Sequence, residues 1–308
     1  MVPLMSWLPS EDPTTAPRSC PGLATVIAPR PRDLGGFSVR RLLPAPMQRS
    51  IGPFVFWDQM GPATFPPGRG IDVGPHPHIG LATVTYLFSG TILHRDSLGS
   101  VQAIEPGAIN WMTAGRGIVH SERTPPELRG GGAELSGIQA WIALPRGLEE
   151  CAPAFVHHAA ATLPIHRETG ATIRVLVGTL AGVTSPVVPA SAMLYADVEL
   201  AADARFVVPA DQPERALHVA SGTVRVGGEH FTAGELLVFR AGDAIPVESV
   251  GPARVLVLGG EPLDGPRHLW WNFVSSSPER IEQAKADWEA ERFTPVPDER
   301  ERIPLPPD

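Results

Sequence analysis

The sequence contains very little cysteine. Its 308 residues include two, Cys20 and Cys151, which are far apart and belong to no ligand-spaced motif. Two cysteines are too few for a disulfide framework, and a thiolate metal site needs closely spaced cysteines, so neither is expected here. A role for either thiol as a nucleophile or redox switch is an alternative that no motif supports.

Long apolar runs and clusters of basic residues are also missing. No stretch approaches the roughly 18 continuous apolar residues of a membrane-spanning helix, and Met1–Ser10 lack the basic start and apolar run of a signal peptide. The formal net charge is −8 and the pI about 5.7, which gives nucleic-acid binding little electrostatic support. We therefore expect a soluble, cytoplasmic protein with no membrane or direct nucleic-acid partner.

Proline and glycine, by contrast, are abundant. There are 35 prolines and 31 glycines in a chain that is 43% hydrophobic and 19% charged. The apolar content is typical of a folded globular protein, and Pro and Gly interrupt the chain too often for long helices. Short runs rich in β-branched and aromatic residues, bounded by turn residues, predict an all-β sandwich or barrel.

The predicted strands fall into two series, which are separated by a Pro- and Ala-rich connection that starts at Pro145. A helix is predicted near the end of the chain, where Ser277 is suited to cap it, Pro278 to occupy its first position and Trp288 to lie on its apolar face. We therefore predict three parts: a flexible arm (residues 1–22), an N-terminal domain (23–145) and a C-terminal domain that includes the helix (146–308). The strands are predicted at 37–43, 54–57, 81–88, 91–94, 101–104, 109–112 and 138–144, and then at 172–177, 194–200, 216–220, 223–226, 236–239 and 253–258.

Two short motifs carry the candidate chemistry. His76-Pro77-His78 and, 42 residues after His78, His120-Ser121-Glu122 each place two metal-binding side chains two positions apart. Residues i and i+2 of a strand point to the same face, so two such strands side by side would bring three imidazoles and one carboxylate to one point. These donors suit a transition metal, and four protein ligands leave two positions open on an octahedral ion. Pro77 cannot donate a ladder hydrogen bond, which predicts an edge or an irregularity there.

The two halves of the chain contain similar turn sequences in the same order. Ser89-Gly90-Thr91 is followed by Pro106-Gly107, and Ser221-Gly222-Thr223 by Ala233-Gly234, each within a strand–turn–strand pattern. This repetition predicts duplicated barrel domains.

The metal-binding pattern is not repeated in the second half. The positions that precede Gly222 as His76 and His78 precede Gly90 are Val208 and Ala210, neither of which binds metal. The C-terminal barrel is therefore predicted to be metal-free.

The sequence around the two motifs resembles the pirin family of the cupin superfamily. Gly70 followed after five residues by His76 is similar to the first cupin motif, and residues 76–122 resemble pirins, most closely from Trp111 to His120. Weaker similarity further along extends the resemblance over roughly residues 35–293. It implies an all-β fold of two antiparallel cupin (jelly-roll) barrels that face each other, with a short C-terminal helix.

The resemblance also implies a metal site in the N-terminal barrel. Its ligands would be His76, His78, His120 and Glu122. Fe(II) is the expected ion, and Zn, Ni, Cu, Co or Mn could replace it in recombinant material because ion availability affects loading.

Three further positions bear on this site. Many cupins and pirins carry Glu where this chain has Ala82. If the strand continued past His78 without a bulge, position 82 would lie on the same face as His78. Because Ala82 has no carboxylate, Glu122 would then be the sole carboxylate at the metal site. His94 is a candidate hydrogen-bond partner behind the ligands, with a plain turn residue as the alternative. Arg116 could orient its loop or meet an anionic ligand, although a structural salt bridge is the favoured interpretation.

Two classes of function follow from the resemblance. Several pirins act as quercetin 2,3-dioxygenases, which implies an iron-dependent oxidoreductase that uses O₂ on a flavonol or related polyphenol, with Glu122 as general base. Other pirins regulate transcription or bind metabolic enzymes. This implies a non-enzymatic protein whose metal gates binding to a transcription factor or metabolic enzyme. The intact ligand set ranks the enzyme narrowly first.

Overall fold

The protein is built almost entirely from β-strands. The structure, a computed structural model, describes residues 14–16, 20, 22–33 and 37–307. These residues include two α-helices, α1 (Pro126–Arg129) and α2 (Pro278–Glu289), and two 3₁₀ turns at Arg146–Leu148 and Ala160–Thr162. None of the helices formed by the described residues is long and apolar enough to cross a membrane.

The strands of the first half are β1 (Thr14–Ala16), β2 (Leu23–Ala28), β3 (Arg30–Asp33), β4 (Ser38–Leu43), β5 (Phe54–Phe65), β6 (Asp72–His78), β7 (Leu81–Ser89), β8 (Ile92–Asp96), β9 (Val101–Ile104), β10 (Ile109–Thr113), β11 (Ile118–Arg123) and β12 (Ala133–Ala143). Those of the second half are β13 (Ala154–His158), β14 (Ile165–Glu168), β15 (Ala171–Val177), β16 (Thr179–Leu180), β17 (Val183–Thr184), β18 (Met193–Leu200), β19 (Arg205–Val208), β20 (Glu214–Ser221), β21 (Thr223–Val226), β22 (Glu229–Thr232), β23 (Leu236–Phe239), β24 (Ile245–Ser249), β25 (Ala253–Gly260), β26 (His268–Trp270) and β27 (Phe273–Ser275).

Four antiparallel sheets form two barrels. In the N-terminal barrel a seven-stranded sheet, β13-β10-β7-β12-β5-β4-β3, is combined with a four-stranded sheet, β6-β11-β8-β9. In the C-terminal barrel an eight-stranded sheet, β1-β2-β23-β20-β25-β18-β15-β14, is combined with the four-stranded sheet β19-β24-β21-β22. This architecture confirms the predicted all-β class with two barrels and a short C-terminal helix.

The two large sheets pack against each other, and the burial of β7 on both faces explains why its sequence is mostly apolar. Leu81 and Leu87 point into the N-terminal barrel, whereas Ala82, Val84 and Tyr86 belong to the apolar cluster shared with the C-terminal barrel. Since alternate residues of a strand face opposite sides, a strand buried on both faces reads as a nearly continuous apolar run.

Buried polar contacts fix how the two barrels meet. Trp57 Nε1 donates to His218 Nδ1 at 3.1 Å, and burial lowers the pKa of His218 to about 3, so that its imidazole is neutral. The hydroxyl of Tyr86 donates to Asp197 at 2.6 Å, and Arg254 pairs with the same carboxylate. Such buried, directional contacts restrict the two sheets to one relative placement.

Each end of the chain contacts the barrel that is formed mainly by the other half of the sequence. Strand β2 pairs with β23 of the C-terminal barrel, although the predicted N-terminal domain began at Leu23. Conversely, β27 and α2 pack on Ile79 and Val119 of the N-terminal barrel, and Phe273 bridges to Ile79. Strand pairing and packing thus connect the two barrels across the predicted boundaries at both ends, and the boundaries themselves stay a prediction. Most of the predicted arm (1–22) lies outside the described residues, and Thr14–Ala16 form β1 against β2.

The predicted C-terminal helix is present. Ser277 Oγ accepts from the backbone N–H of Arg280 at 3.2 Å, and Pro278 occupies the first turn. Ile281, Ala284 and Trp288 form the buried face, as their spacing predicted.

Candidate metal centre

Strands β6 and β11 bring the two motifs together. They pair antiparallel, with His76 opposite His120 and His78 opposite Ile118. Strand β6 lies at the edge of its sheet, which suits Pro77 because an edge strand does not require its missing N–H. The register of β11 against β6 shifts between His120 and Glu122.

The imidazoles of His76, His78 and His120 form one buried cluster. Each offers a ring nitrogen within 4.8 Å of those of the other two. All three are at most 7% exposed. Over residues 14–16, 20, 22–33 and 37–307 this is the one group of three ligand-type side chains. The three predicted histidine ligands are therefore brought together, and Val208 lies in the apolar core of the other barrel.

Backbone contacts orient two of the rings. His76 Nδ1 lies 2.9 Å from the carbonyl oxygen of Gly74, and His78 Nδ1 lies 3.1 Å from that of Asn272. A carbonyl can only accept, so each Nδ1 carries the proton and each Nε2 keeps a free lone pair. His78 Nε2 and His120 Nε2 then face each other at 3.1 Å.

The electrostatics of the cluster favour neutral, metal-binding rings. Burial lowers the pKa of His76 to about 4 and those of His78 and His120 well below the ordinary value, and the neighbouring imidazoles reinforce the last two shifts. Two facing lone pairs 3.1 Å apart repel unless a cation lies between them. Two metal–nitrogen bonds of about 2.1 Å at a right angle would separate the nitrogens by about 3 Å. The donors present therefore fit a transition metal.

Glu122 lines the same cavity as His76 and His78 but lies outside the three-imidazole group. The Thr85 hydroxyl lies 3.3 Å from Oε1 of Glu122 and 2.8 Å from Oε1 of Gln139. Burial raises the pKa of the Glu122 carboxyl, and among the described residues no ion pair reaches it. Its role as fourth ligand stays a prediction.

The expectation for position 82 is wrong. The chain leaves the four-stranded sheet after His78 and enters the seven-stranded sheet at Leu81, so the face of His78 is not continued. Gly80 makes this turn with φ +68°, and a Cβ there would lie 1.9 Å from the carbonyl oxygen of Val274. Ala82 is fully buried between the barrels. A carboxylate at that position would face away from the metal centre.

The two weaker candidates differ in placement. His94 is buried behind His120, with the Nδ1 atoms of the two rings 3.4 Å apart. Arg116 is exposed, and its described contacts involve its main chain: its N–H donates to Cys151 and its carbonyl accepts from Arg280. It is not among the residues that line the cavity.

The walls of the cavity contain residues that the sequence reasoning did not identify. Phe56 stacks on Trp141 with ring centroids 4.0 Å apart, and the Arg41 guanidinium lies 4.3 Å from the Phe56 ring. Arg41 also makes a two-point ion pair with Asp58, at 2.9 and 2.8 Å. The available signal was the presence of charged residues within two largely apolar strands, Arg40 and Arg41 in β4 and Asp58 in β5, since charges are rarely buried unless paired.

The end of the chain closes one side of the cavity. Trp271, Asn272 and Ile303 line it together with His76 and His78. The N–H of Ile303 donates to the carbonyl of Pro75 at 2.8 Å, and Trp288 Nε1 donates to the carbonyl of Ile303 at 2.9 Å. The volume of the cavity is about 100 Å³.

Known proteins are similar to this chain in sequence and in fold. The profile of the pirin family matches residues 36–142, and that of the pirin C-terminal cupin domain matches residues 195–294. A pirin-like protein of Caulobacter vibrioides is 48% identical over 281 residues, which cover 90% of this chain and 97% of that protein. The crystal structure of a quercetin 2,3-dioxygenase from Acinetobacter baumannii matches with a TM-score of 0.85 at 37% identity, over 92% of this chain and 95% of that one. A bacterial pirin from Escherichia coli, in complex with nickel(II), shares the fold with a TM-score of 0.60 at 19% identity, over 76% of this chain and 96% of that one. The two profiles together match more than half of the chain, and the sequence therefore belongs to the pirin family.

Proposed function

We propose that this pirin is a metal-dependent oxidoreductase of the quercetin 2,3-dioxygenase type, which acts on a flavonol or related polyphenol and O₂. The observation that carries the proposal is the cluster of three buried, neutral imidazoles in an aromatic-walled cavity. Likeness to a solved quercetin 2,3-dioxygenase supports the same reaction class.

The proposed metal ligands are His76, His78, His120 and Glu122, and the proposed native ion is Fe(II). Glu122 is placed as the fourth ligand because it shares the cavity and, within the described residues, has no cationic side chain of its own. A divalent iron bound there would supply Lewis-acid polarisation of a substrate oxygen and the electron transfer that O₂ chemistry needs.

Glu122 is also the proposed proton acceptor. Burial raises the pKa of its carboxyl in the metal-free protein, and a carboxylate positioned beside a substrate hydroxyl is a suitable general base. The Thr85 hydroxyl, which lies between Glu122 and Gln139, can orient the carboxylate toward the hydroxyl of a bound polyphenol. Loss of that proton gives an electron-rich ring.

The aromatic wall supports a planar, conjugated substrate. Phe56 and Trp141 form a stacked pair along the cavity, and Trp141 packs edge-on against His78 at 5.2 Å between centroids. A flat aromatic ligand can pack against such rings close to the metal. Arg41, held by Asp58, provides a fixed positive charge for an electron-rich oxygen.

The size of the cavity requires the C-terminal segment to move. Pockets that enclose drug-sized ligands measure about 300–1,000 Å³, whereas this cavity holds about 100 Å³. Ile303 is the part of the lining that belongs to an irregular terminal stretch, residues 290–307. We therefore expect a flavonol to displace Ile303 when it binds.

Shortening Ile303 should favour large substrates. We expect Ile303→Ala to raise kcat/KM for quercetin about fivefold, a change of about 1 kcal/mol, because less side chain must be displaced. Turnover of a single-ring catechol should change less. Leu305→Ala is the matched control, because Leu305 packs in the same terminal cluster but does not line the cavity. An equal gain in both variants would mean that general loosening of the segment is responsible.

Oxygen consumption tests the function directly. Protein freed of metal is reconstituted with Fe(II) under anaerobic conditions, mixed with quercetin and exposed to O₂ in an oxygen electrode. We expect stoichiometric uptake of O₂ and loss of the flavonol absorbance, both dependent on Fe(II). No uptake by protein shown to hold one iron would contradict the proposed reaction while leaving the metal centre intact.

A further inference from the structure

A buried chain of polar side chains continues from the metal cluster into the barrel wall. Strand β8 pairs with β11, so that Asp96 lies opposite His120 and His94 opposite Glu122. His94 and Asp96 are 3% and 0% exposed. Neither lines the cavity, so both lie behind the cluster rather than beside the substrate.

The contacts along this chain are continuous. His120 Nδ1 lies 3.4 Å from His94 Nδ1, at the long end for a hydrogen bond, and His94 Nε2 lies 3.1 Å from Asp96 Oδ2. The other carboxylate oxygen of Asp96 accepts from the N–H groups of Leu98 and Ser100, at 2.9 and 3.0 Å. Phe155 stacks on the His94 ring at 4.3 Å with an interplanar angle of 12°. The turn and the stack thus hold both side chains in place.

One arrangement of protons satisfies every contact with neutral rings. His120 uses Nε2 for the metal, because that atom faces His78 Nε2, so its proton must be on Nδ1. That proton is donated to His94 Nδ1, which puts the His94 proton on Nε2. His94 Nε2 in turn donates to Asp96, whose carboxylate is already held by backbone N–H groups.

We propose that Asp96 and His94 are positioning residues of the metal centre: they fix His120 in the tautomer that binds metal through Nε2 and strengthen it as a donor. Outer partners of this kind orient metal-binding imidazoles and raise their basicity, and their loss costs about 10–100-fold in metal affinity. His76 and His78 are fixed by backbone carbonyls instead, so His120 alone depends on a side-chain partner. This inference rests on the metal site of the proposed function and not on the reaction.

The test is the affinity of metal-free protein for Co(II), read from its d–d absorption bands. His94→Phe keeps a flat ring for Phe155 but removes the acceptor. We expect its affinity for Co(II) to fall about 10–100-fold, with shifted bands. His94→Gln retains an acceptor and should recover much of the affinity. His157→Phe is the control, because His157 bonds Asn110 at 2.7 Å on a neighbouring strand, away from the cluster.

A second readout needs no substitution. In ¹⁵N-labelled, Zn(II)-loaded protein, histidine ring NMR should show His120 protonated on Nδ1 and His94 on Nε2. Wild-type affinity and spectrum in His94→Phe, or the opposite tautomer at His94, would overturn the inference. Equal weakening in the Phe and Gln variants would assign His94 a packing role and also overturn it. If wild-type protein bound no Co(II), the metal centre itself would be refuted.

Discussion

Replacing His120 with alanine should weaken metal binding severely and abolish oxygen uptake. His120 is the imidazole that β11 contributes to the site: it faces His78 across 3.1 Å and lies opposite His76 in the sheet. Its loss leaves the two imidazoles of β6 and the proposed ligand Glu122, without the ring that faces His78, so we expect the variant to lose its metal on dialysis. A bound metal stabilises the transition state by several kcal/mol, so its loss should lower turnover by about 10³-fold or more. Metal content by mass spectrometry and oxygen uptake with quercetin measure the two effects.

A matched control and a third measurement separate metal loss from misfolding. His230→Ala removes an exposed histidine on β22 and should leave metal content and uptake unchanged. Divalent metal at 100 times the wild-type Kd should stabilise the wild type by about 2.7 kcal/mol, seen as a rise in Tm, and the same concentration should raise the Tm of His120→Ala much less. A His120→Ala protein that kept stoichiometric iron through dialysis would show that metal binding does not depend on His120.

The shared face of His76 and His78 could be predicted because it depends only on local geometry. Both residues lie within β6, where the alternation of side chains is fixed by the backbone. The same rule failed at Ala82, because it was extended through Gly80, where the chain turns into another sheet. The alternation of side chains predicts which residues share a face only within one strand.

The remaining parts of the site come from contacts distant in sequence. Asn272, which orients His78, is 194 residues from it, and Ile303 reaches Pro75 through a main-chain hydrogen bond. No periodicity in the sequence specifies these pairs. The contacts of each chain end with the opposite barrel have the same origin, since β2 pairs with β23, a strand far away along the sequence. The barrel class was predictable from composition and strand pattern, whereas the closure of the cavity was not.

Glu122 combines two proposed roles, and Glu122→Gln should separate them. The amide keeps the shape of the side chain but can neither accept a proton nor bring a negative charge to the metal. At saturating Fe(II) we expect turnover to fall about 10²–10⁴-fold, the contribution typical of a positioned general base. The affinity for Co(II) should fall as well, because the anionic donor is lost. Glu105→Gln, at an exposed position, is the control. Wild-type turnover at full iron occupancy would refute the base, and unchanged affinity would refute the ligand.

The stability of the metal-free protein gives an independent measure of the same carboxylate. Burial raises the pKa of Glu122 in the folded protein above the value in the unfolded chain, which is about 4.3. The folded state therefore holds the proton more tightly, so stability is greatest below the unfolded pKa and falls as pH rises through the folded one. Glu122→Gln lacks this dependence and should be more stable than the wild type at pH 7 without metal. In urea unfolding, the advantage should vanish near pH 4 and reverse when metal is added. A variant less stable at pH 7 in the metal-free state would mean that the buried charge is already compensated by the protein, and that a cation is not needed to balance it.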